Sequence, residues 1–185
     1  LFRELSKLRV HLSLLPYMRI AIDMVFSVSD YQNAYSHFVL KVFNYLSNRH
    51  PEHEFIFLFD SPHEDFIDLS NCKTVRVGPS ARHSFWGKLR LHVKIPQALS
   101  KYKADVFVCG GSCSLATGIP QCMLFPDLAF WNARWGFSKW HFASNKSHVS
   151  KYLSKAKTVV TGTEHYKQEI IHKYKQAKEK VHVVY

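Results

Sequence analysis

Asp127 is the strongest candidate for a chemical role, because it follows the apolar run Gln121 to Phe125 almost directly. A carboxylate at the end of a buried strand can bind a hydroxyl group of a ligand or orient a neighbouring base. An aspartate also caps helices and forms turns, because its side-chain oxygens accept hydrogen bonds from nearby backbone N–H groups. Both interpretations stay open, and Asp127 is the candidate catalytic residue.

Two further segments combine small and polar residues in ways that suit ligand binding. Gly110, Gly111 and Ser112 follow an apolar run, and glycines there let a ligand approach the backbone closely while the hydroxyl donates. Thr163 and Glu164 open a helical segment whose first N–H groups could meet an anionic group. A turn that ends a strand, and ordinary helix capping, explain the same residues without a ligand.

Basic and aromatic residues alternate between Trp131 and Lys155, and lysines and arginines outnumber acidic residues by 25 to 14, for a net charge of +11. This mixture suits a membrane interface or stacking on nucleic-acid bases, and a helix that packs its aromatic residues inward has the same composition. The basic run Arg82 to Lys103 allows a membrane surface or a solvated helix face. Nucleic acid is the least favoured partner. The candidates for contact with an anionic membrane surface are Trp135, Lys139, Trp140 and Lys146.

Metal binding is not expected, although the chain has twelve histidines. His50 and His53 belong to the turn sequence HPEHE, and neither an HExxH motif nor a histidine and cysteine cluster with zinc spacing occurs. The four cysteines also lack CxxC spacing, which favours reduced thiols in a cytosolic protein.

The length of 185 residues suits one domain, and 46% hydrophobic residues are enough for a core. No apolar run approaches the roughly 20 residues that cross a bilayer, so no transmembrane helix is expected. Residues 1–17 are predicted to be an N-terminal extension, either outside the native fold or a helix that anchors to a membrane surface. The predicted domain covers residues 18–185.

Apolar runs that are typical of strands alternate with helical periods after Met18, which predicts a doubly wound, mostly parallel α/β sheet of six to seven strands in three layers. One predicted helix carries an apolar stripe and ends near Arg49, and another, Phe85 to Tyr102, is expected to break or turn at Pro96. The stripe consists of Tyr31, Ala34, Tyr35, Phe38, Val42 and Leu46. The predicted strands are Arg19–Phe26, Glu54–Phe59, Thr74–Val77, Asp105–Cys109, Gln121–Phe125, Thr158–Thr161 and Val181–Tyr185.

Ligands of such sheets bind outside the carboxyl ends of the strands, where the strand order reverses. The loops that follow the first, fourth, fifth and sixth strands are therefore the predicted binding region. The candidate binding residues in these loops and at the helix starts beside them are Ser27, Ser29, Gly110, Gly111, Ser112, Thr163 and Glu164, and Tyr35 on the first helix is a further candidate.

From Met18 to Tyr185 the chain resembles the N-terminal domain of glycosyltransferase family 4, whose members have the two-domain GT-B fold. The segments that carry the resemblance are MRIAIDM, HPEHEFIFLF, ADVFVCGG, IPQCMLFPDLAFW, LSKAKTVVTGTEHYKQEIIHKY and EKVHVVY. The most specific part is Ser154 to Tyr174. Asp127 matches the aspartate of the family's "HD" pair, with Pro126 in place of the histidine. Ser27 to Asp30 replaces the glycine-rich loop of the family.

The resemblance implies the acceptor-side half of an enzyme that transfers a sugar, with retention, from a nucleotide-sugar donor to a glycan or lipid-linked acceptor. In the family, a C-terminal domain binds most of the donor, so this domain needs no cofactor of its own and is expected to be inactive alone. The expected location is the cytoplasm, peripheral to the inner face of the membrane. Two other functions stay open, a non-catalytic assembly domain and a basic module that binds nucleotides or nucleic acid.

Overall fold

A computed structural model of the chain describes residues 17–24, 34–60, 70–79, 84–125 and 139–184, and the side chains of residues 34–37, 84, 139–146 and 176 are outside that description. Seven parallel strands form one sheet in the order β3-β2-β1-β4-β5-β6-β7. The strands are β1 Arg19–Asp23, β2 Glu54–Phe59, β3 Cys72–Arg76, β4 Val106–Gly110, β5 Gln121–Leu124, β6 Thr158–Thr161 and β7 Val181–Val183. The predicted parallel α/β fold is confirmed, and each predicted strand is present with bounds that differ by three residues or fewer.

The helices form layers on the two faces of this sheet. They are α1 Ala34–Arg49, α2 Ser84–Leu89, a π-helical segment Arg90–Lys94, α3 Ile95–Lys101, α4 Lys139–Lys155 and α5 Glu164–Lys173, followed by a 3₁₀ turn Lys175–Ala177. On one face, Val39 and Phe43 of α1 pack with Phe55 and Phe57 of β2. The other face has a larger core, to which the π-helical segment, α3, α4 and α5 contribute. These two cores make the fold a three-layer sandwich.

Strand β2 shows how the sequence divides its residues between the two cores. Phe55, Phe57 and Phe59 belong to the core beneath α1, and Ile56 and Leu58 belong to the opposite core. Successive residues of a strand point to opposite faces of the sheet, so an uninterrupted apolar run is what a strand buried on both faces requires.

The buried face of α1 differs from the predicted stripe. Val39, Phe43 and Ser47 are buried, whereas Phe38 is 36% exposed. The predicted stripe does face the sheet, because Phe38, Val42 and Leu46 line a groove with sheet residues, but the most buried positions lie about one residue further around the helix axis. The groove is apolar and has a volume of about 310 Å³. Phe38, Val42 and Leu46 contact the edge of the core and are not fully buried in it. Tyr31 lies outside the described residues.

Of the break or turn expected at Pro96, the structure has a π turn just before it and no break in the helix. The backbone N–H of Ile95 donates to the oxygen of Arg90, five residues earlier, and Pro96 lies in the first turn of α3. Proline in a continuous α-helix removes a hydrogen bond and clashes with the carbonyl four residues before it. The wider π turn just before Pro96 accommodates both effects, so the helix continues to Lys101.

Candidate functional site

The strand order reverses between β1 and β4, because the chain runs from β1 to β3 in one direction and from β4 to β7 in the other. In open parallel sheets, the carboxyl ends of the strands on either side of such a reversal border a ligand crevice. Asp23 ends β1 and Gly110 ends β4, so these two residues flank the crevice. Thr161 ends β6 at the same edge of the sheet.

Five of the predicted site residues lie at this edge in the described part of the chain. They are Gly110, Gly111, Ser112, Thr163 and Glu164. Asp127, Ser27, Ser29 and Trp135 lie outside the described residues, as do the side chains of Tyr35, Lys139, Trp140 and Lys146. The structure therefore places the candidate binding residues at the ends of β4 and β6 along one edge of the sheet, and their binding role and the catalytic assignment of Asp127 stay predictions.

A buried ion pair between Arg90 and Asp23 lies at the carboxyl end of β1. Arg90 Nη2 is 2.9 Å from Asp23 Oδ1, and Arg90 Nη1 is 3.2 Å from Asp23 Oδ2. The Arg90 side chain is 2% exposed, and its Nε donates to the backbone oxygen of Val77 at 2.8 Å. A planar guanidinium matches both oxygens of a carboxylate, so this contact fixes the orientation of Asp23 and joins the π-helical segment to β1.

The loop after β4 has the open backbone that the glycine pair predicts. Gly111 has φ of +66°, its N–H donates to the oxygen of Leu124 at 2.8 Å, and an added Cβ would meet no atom within 4 Å. A positive φ explains why glycine is required here. The empty space beside the Gly111 Cα shows that a ligand group could approach the backbone at this point.

Replacing Gly111 with alanine is expected to lower the free energy of unfolding by about 1–2 kcal/mol, because a Cβ is strained at positive φ. Gly118 is the matched control, since its φ is outside the positive range and its Cα also faces open space. Urea unfolding of the two alanine variants measures the difference. Equal losses in the two variants would contradict the assignment of strain to Gly111.

Gln121 holds the far end of the same loop. Its Oε1 accepts from the Ser114 backbone N–H at 2.9 Å, and its Nε2 donates to the Ser114 oxygen at 2.7 Å. The side-chain amide thus pairs with both backbone groups of Ser114, as a neighbouring strand would. All of these groups are buried, so the loop from Gly110 to Ser114 is fixed at both ends.

Two buried thiols lie beneath this loop, with Cys109 Sγ 3.4 Å from Cys113 Sγ. The contact with Cys113 and burial raise the pKa of Cys109, and burial raises the pKa of Cys122 to about 11. The cysteines are free. Because the thiolate is the reactive form, these groups act as apolar packing and as weak hydrogen-bond donors.

The end of β6 and the segment after it provide a buried hydroxyl and a helix cap. Thr163 is the N-cap of α5, and its Oγ1 accepts from the Tyr166 N–H at 3.1 Å, as predicted. Glu164 accepts from Gln168 Nε2 at 2.9 Å and lies 3.5 Å from Lys167 Nζ. The Thr161 hydroxyl is buried and has no partner among the described residues. Of these three side chains, Thr161 is therefore the one whose hydrogen-bonding capacity is unused.

His92 connects the π-helical segment to the loop after β4. Its Nδ1 accepts from the Leu115 backbone N–H at 3.2 Å, which requires the unprotonated nitrogen. Burial, with the nearby Lys88 and His148, lowers the pKa of His92 below 6.5. The folded chain therefore favours the neutral imidazole, and His92 contributes stability above pH 6.5 that is lost as the pH falls through the lowered pKa.

We expect the free energy of unfolding to decrease more steeply between pH 7 and pH 5 in the unmodified chain than in His92→Gln. Glutamine retains a hydrogen-bond acceptor but does not titrate. Chemical denaturation at several pH values measures the two slopes, and the difference between them isolates His92 from the other histidines. If the free energy of unfolding has the same pH dependence in both chains, protonation of His92 does not contribute to the stability.

Three residues at the crevice edge, Asp23, Arg90 and Thr161, were not found from the sequence, and neither was Gln121, which holds the far end of the loop after β4. Asp23 and Gln121 were assigned only to predicted strands, Arg90 to a basic helix, and Thr161 to the end of a strand. A charged residue at the end of an apolar strand was the available signal for Asp23. The partners of Arg90 and Gln121 are distant in sequence or depend on loop geometry, so the pattern gave no signal for either contact.

Within the part of the chain that the structure describes, no helix has the length and apolar character needed to cross a membrane.

The fold is similar to that of solved sugar-processing enzymes. A UDP-N-acetylglucosamine 2-epimerase matches over 90% of this chain with a TM-score of 0.55 and 12% identity. A glycosyltransferase from Rickettsia africae ESF-5 matches over 91% with a TM-score of 0.58 and 16% identity. The chain spans 48% and 42% of these two solved chains, so it corresponds to about half of each. At such identities the likeness shows a shared Rossmann-like α/β fold.

No protein-family model matches the sequence, and no curated protein matches it.

Proposed function

We propose that this chain is the acceptor-side domain of an enzyme that transfers a sugar from a nucleotide-sugar donor to a glycan or lipid-linked acceptor. The crevice at the reversal between β1 and β4 supports this proposal, since it lies in a fold shared with a glycosyltransferase. The second similar structure is an epimerase of UDP-N-acetylglucosamine, itself a nucleotide sugar. Family 4 membership and a retaining reaction belong to the same proposal.

The described residues provide groups that suit the hydroxyls of an acceptor. The open backbone at Gly111 allows close approach, and the unpaired Thr161 hydroxyl can donate and accept hydrogen bonds. Ser112 adds a second hydroxyl in the same loop. Asp127 follows β5, between these two positions in the strand order, and we assign it the catalytic role in this proposal.

The donor-binding groups are proposed to belong to a second domain, because the similar solved chains are about twice as long as this chain. On this proposal the chain alone does not transfer sugar. We also propose that the protein acts in the cytoplasm at an anionic membrane surface. The net charge of +11 supports this proposal, since basic residues are attracted to anionic headgroups.

Two glycines offer a sharp test in the complete gene product. Gly162 follows β6 at the crevice edge, and Gly118 precedes β5 at the opposite edge of the sheet, and an added Cβ meets no atom within 4 Å at either position. Gly162→Trp is expected to lower nucleotide release from a panel of nucleotide sugars at least tenfold, because the indole fills the crevice. Gly118→Trp is the matched control and should leave nucleotide release unchanged.

The outcomes separate the proposed enzyme from the other two functions. Nucleotide release that responds to Gly162→Trp and to Asp127→Ala supports the transferase. No release from any donor would favour a non-catalytic assembly domain. Retention on a polyanion with a steep dependence on salt, together with no release, would favour nucleic-acid binding, because phosphate contacts displace counterions.

A further inference from the structure

The turn between α1 and β2 brings together three side chains that can each offer one metal-binding atom, His50, Glu52 and His53. These atoms lie within 4.8 Å of one another. His50 Nδ1 is 2.8 Å from Glu52 Oε1, and the two imidazole rings are stacked at 14° with centroids 6.0 Å apart. The sequence predicted no metal here, because the spacing matches no standard motif. The fold of the turn places these three groups together.

His53 is the part of this cluster that its protein surroundings leave unsatisfied. The residue is 1% exposed, and neither ring nitrogen has a hydrogen-bond partner among the described residues. Buried polar groups in native proteins almost always have a partner, and an ion is one of the common explanations when no protein group serves. A cation between the three side chains would give one His53 nitrogen its partner.

The backbone of the turn is held in place by a side chain from another part of the chain. The Asn71 side-chain amide donates to the backbone oxygens of Ser47, His50 and His53 at 2.9, 3.3 and 3.2 Å. The backbone N–H of His53 also donates to the oxygen of His50 at 3.1 Å. These contacts fix the positions from which both imidazoles project, so little backbone ordering would be needed for binding.

We propose that His50, Glu52 and His53 bind a divalent transition-metal ion, with Zn²⁺ as the preferred ion. Two imidazoles and one carboxylate form a ligand set that suits zinc, and water would complete a tetrahedral shell. Bond lengths of about 2.0–2.1 Å place tetrahedral ligand atoms roughly 3.3 Å apart. Because the three atoms lie within 4.8 Å of one another, a separation at that limit must shorten by about 1.5 Å through side-chain rotation, and the half-exposed Glu52 has room to follow the ion.

The position of this site indicates a structural role. The turn joins the end of α1 to the start of β2, at the sheet edge opposite the crevice. Imidazole and carboxylate ligands bind metal only in their unprotonated forms, so the affinity is expected to fall as the pH is lowered. The ion would connect helix and strand and take no part in chemistry at the crevice, so this site stands apart from the proposed transferase function.

The test uses the full chain after treatment with a chelator. Zn²⁺ is titrated in competition with a chromophoric chelator, and Co²⁺ is added separately to record the visible absorption of a tetrahedral site. We expect one equivalent of Zn²⁺ to bind saturably and to raise the melting temperature. Glu52→Gln and His53→Gln should each weaken the affinity for Zn²⁺ at least tenfold. His172→Gln, which changes an exposed histidine of α5, is the matched control and should bind Zn²⁺ like the unmodified chain.

The results that would overturn the site are equally specific. The proposal fails if the unmodified chain binds no stoichiometric Zn²⁺, or if Glu52→Gln retains full affinity. It also fails if His172→Gln weakens binding as much as Glu52→Gln does, because the ion would then bind adventitious surface histidines. Glu52 is exposed enough for its variant to fold, so the test stands even where His53→Gln does not fold.

Discussion

Replacing Arg90 with alanine is expected to lower the free energy of unfolding by about 3–5 kcal/mol, because the change leaves the Asp23 carboxylate buried without its guanidinium partner. The side chains of Arg90 and Asp23 are 2% and 7% exposed. Water therefore has little access to Asp23 and cannot replace the hydrogen bonds that Arg90 donates to it. The substitution also removes the hydrogen bond from Arg90 Nε to the Val77 oxygen, so this buried acceptor loses that donor.

The chain offers an exposed ion pair as the matched control. Arg19 Nε is 3.2 Å from Glu54 Oε2, and about a third of each side chain is exposed. Arg19→Ala should therefore cost about 1 kcal/mol or less. Urea unfolding compares the two variants, and the double variant Arg90→Met with Asp23→Asn should recover part of the loss. A loss of under 1 kcal/mol for Arg90→Ala would show that the buried pair does not stabilise this face of the crevice.

Gln121→Ala is expected to cost about 2–4 kcal/mol, because it leaves the buried N–H and C=O of Ser114 without partners. The loop after β4 would lose its fixed end, so its amide protons should exchange faster. Hydrogen exchange resolved by peptide, together with urea unfolding, measures both effects.

Gln168→Ala is the matched control for this prediction. Gln168 makes one exposed hydrogen bond, from its Nε2 to Glu164 Oε1 at 2.9 Å, so its loss should change stability by about 0.5 kcal/mol or less. If amide hydrogen exchange in residues 110–115 is unchanged in Gln121→Ala, Gln121 does not hold the loop in place. In that case other contacts would be holding the loop.

The fold was predictable because its signals are local. The run EFIFLF indicates a strand buried on both faces, and the observed β2 covers the same six residues. The spacing of apolar residues also gave α1 its correct end at Arg49. Which side of α1 enters the core depends on the angle at which the helix meets the sheet, and adjacent Phe38 and Val39 are both apolar. Periodicity alone could not distinguish them.

The site was less predictable because its contacts join distant parts of the chain. Asp23 and Arg90 are 67 residues apart, and they meet only because the helix after β3 passes beside the carboxyl end of β1. In the sequence, Arg90 is one of several basic residues in a run that also suits a membrane surface. By contrast, the Thr163 cap was predictable, since an N-cap depends on a residue only three positions later.

The π turn before Pro96 has a consequence for the angular phase of this helix. A turn closed by a bond across five residues contains one residue more than an α-helical turn, and one residue corresponds to about 100° of rotation. This surplus residue sets the rotation of α2 relative to α3. Deleting the exposed Val93 would restore α-helical spacing while Ile95 and Leu99 keep their places in the core, and Arg90 would rotate away from Asp23. The ion pair between Arg90 and Asp23 thus depends on the number of residues in this helix as much as on their identity.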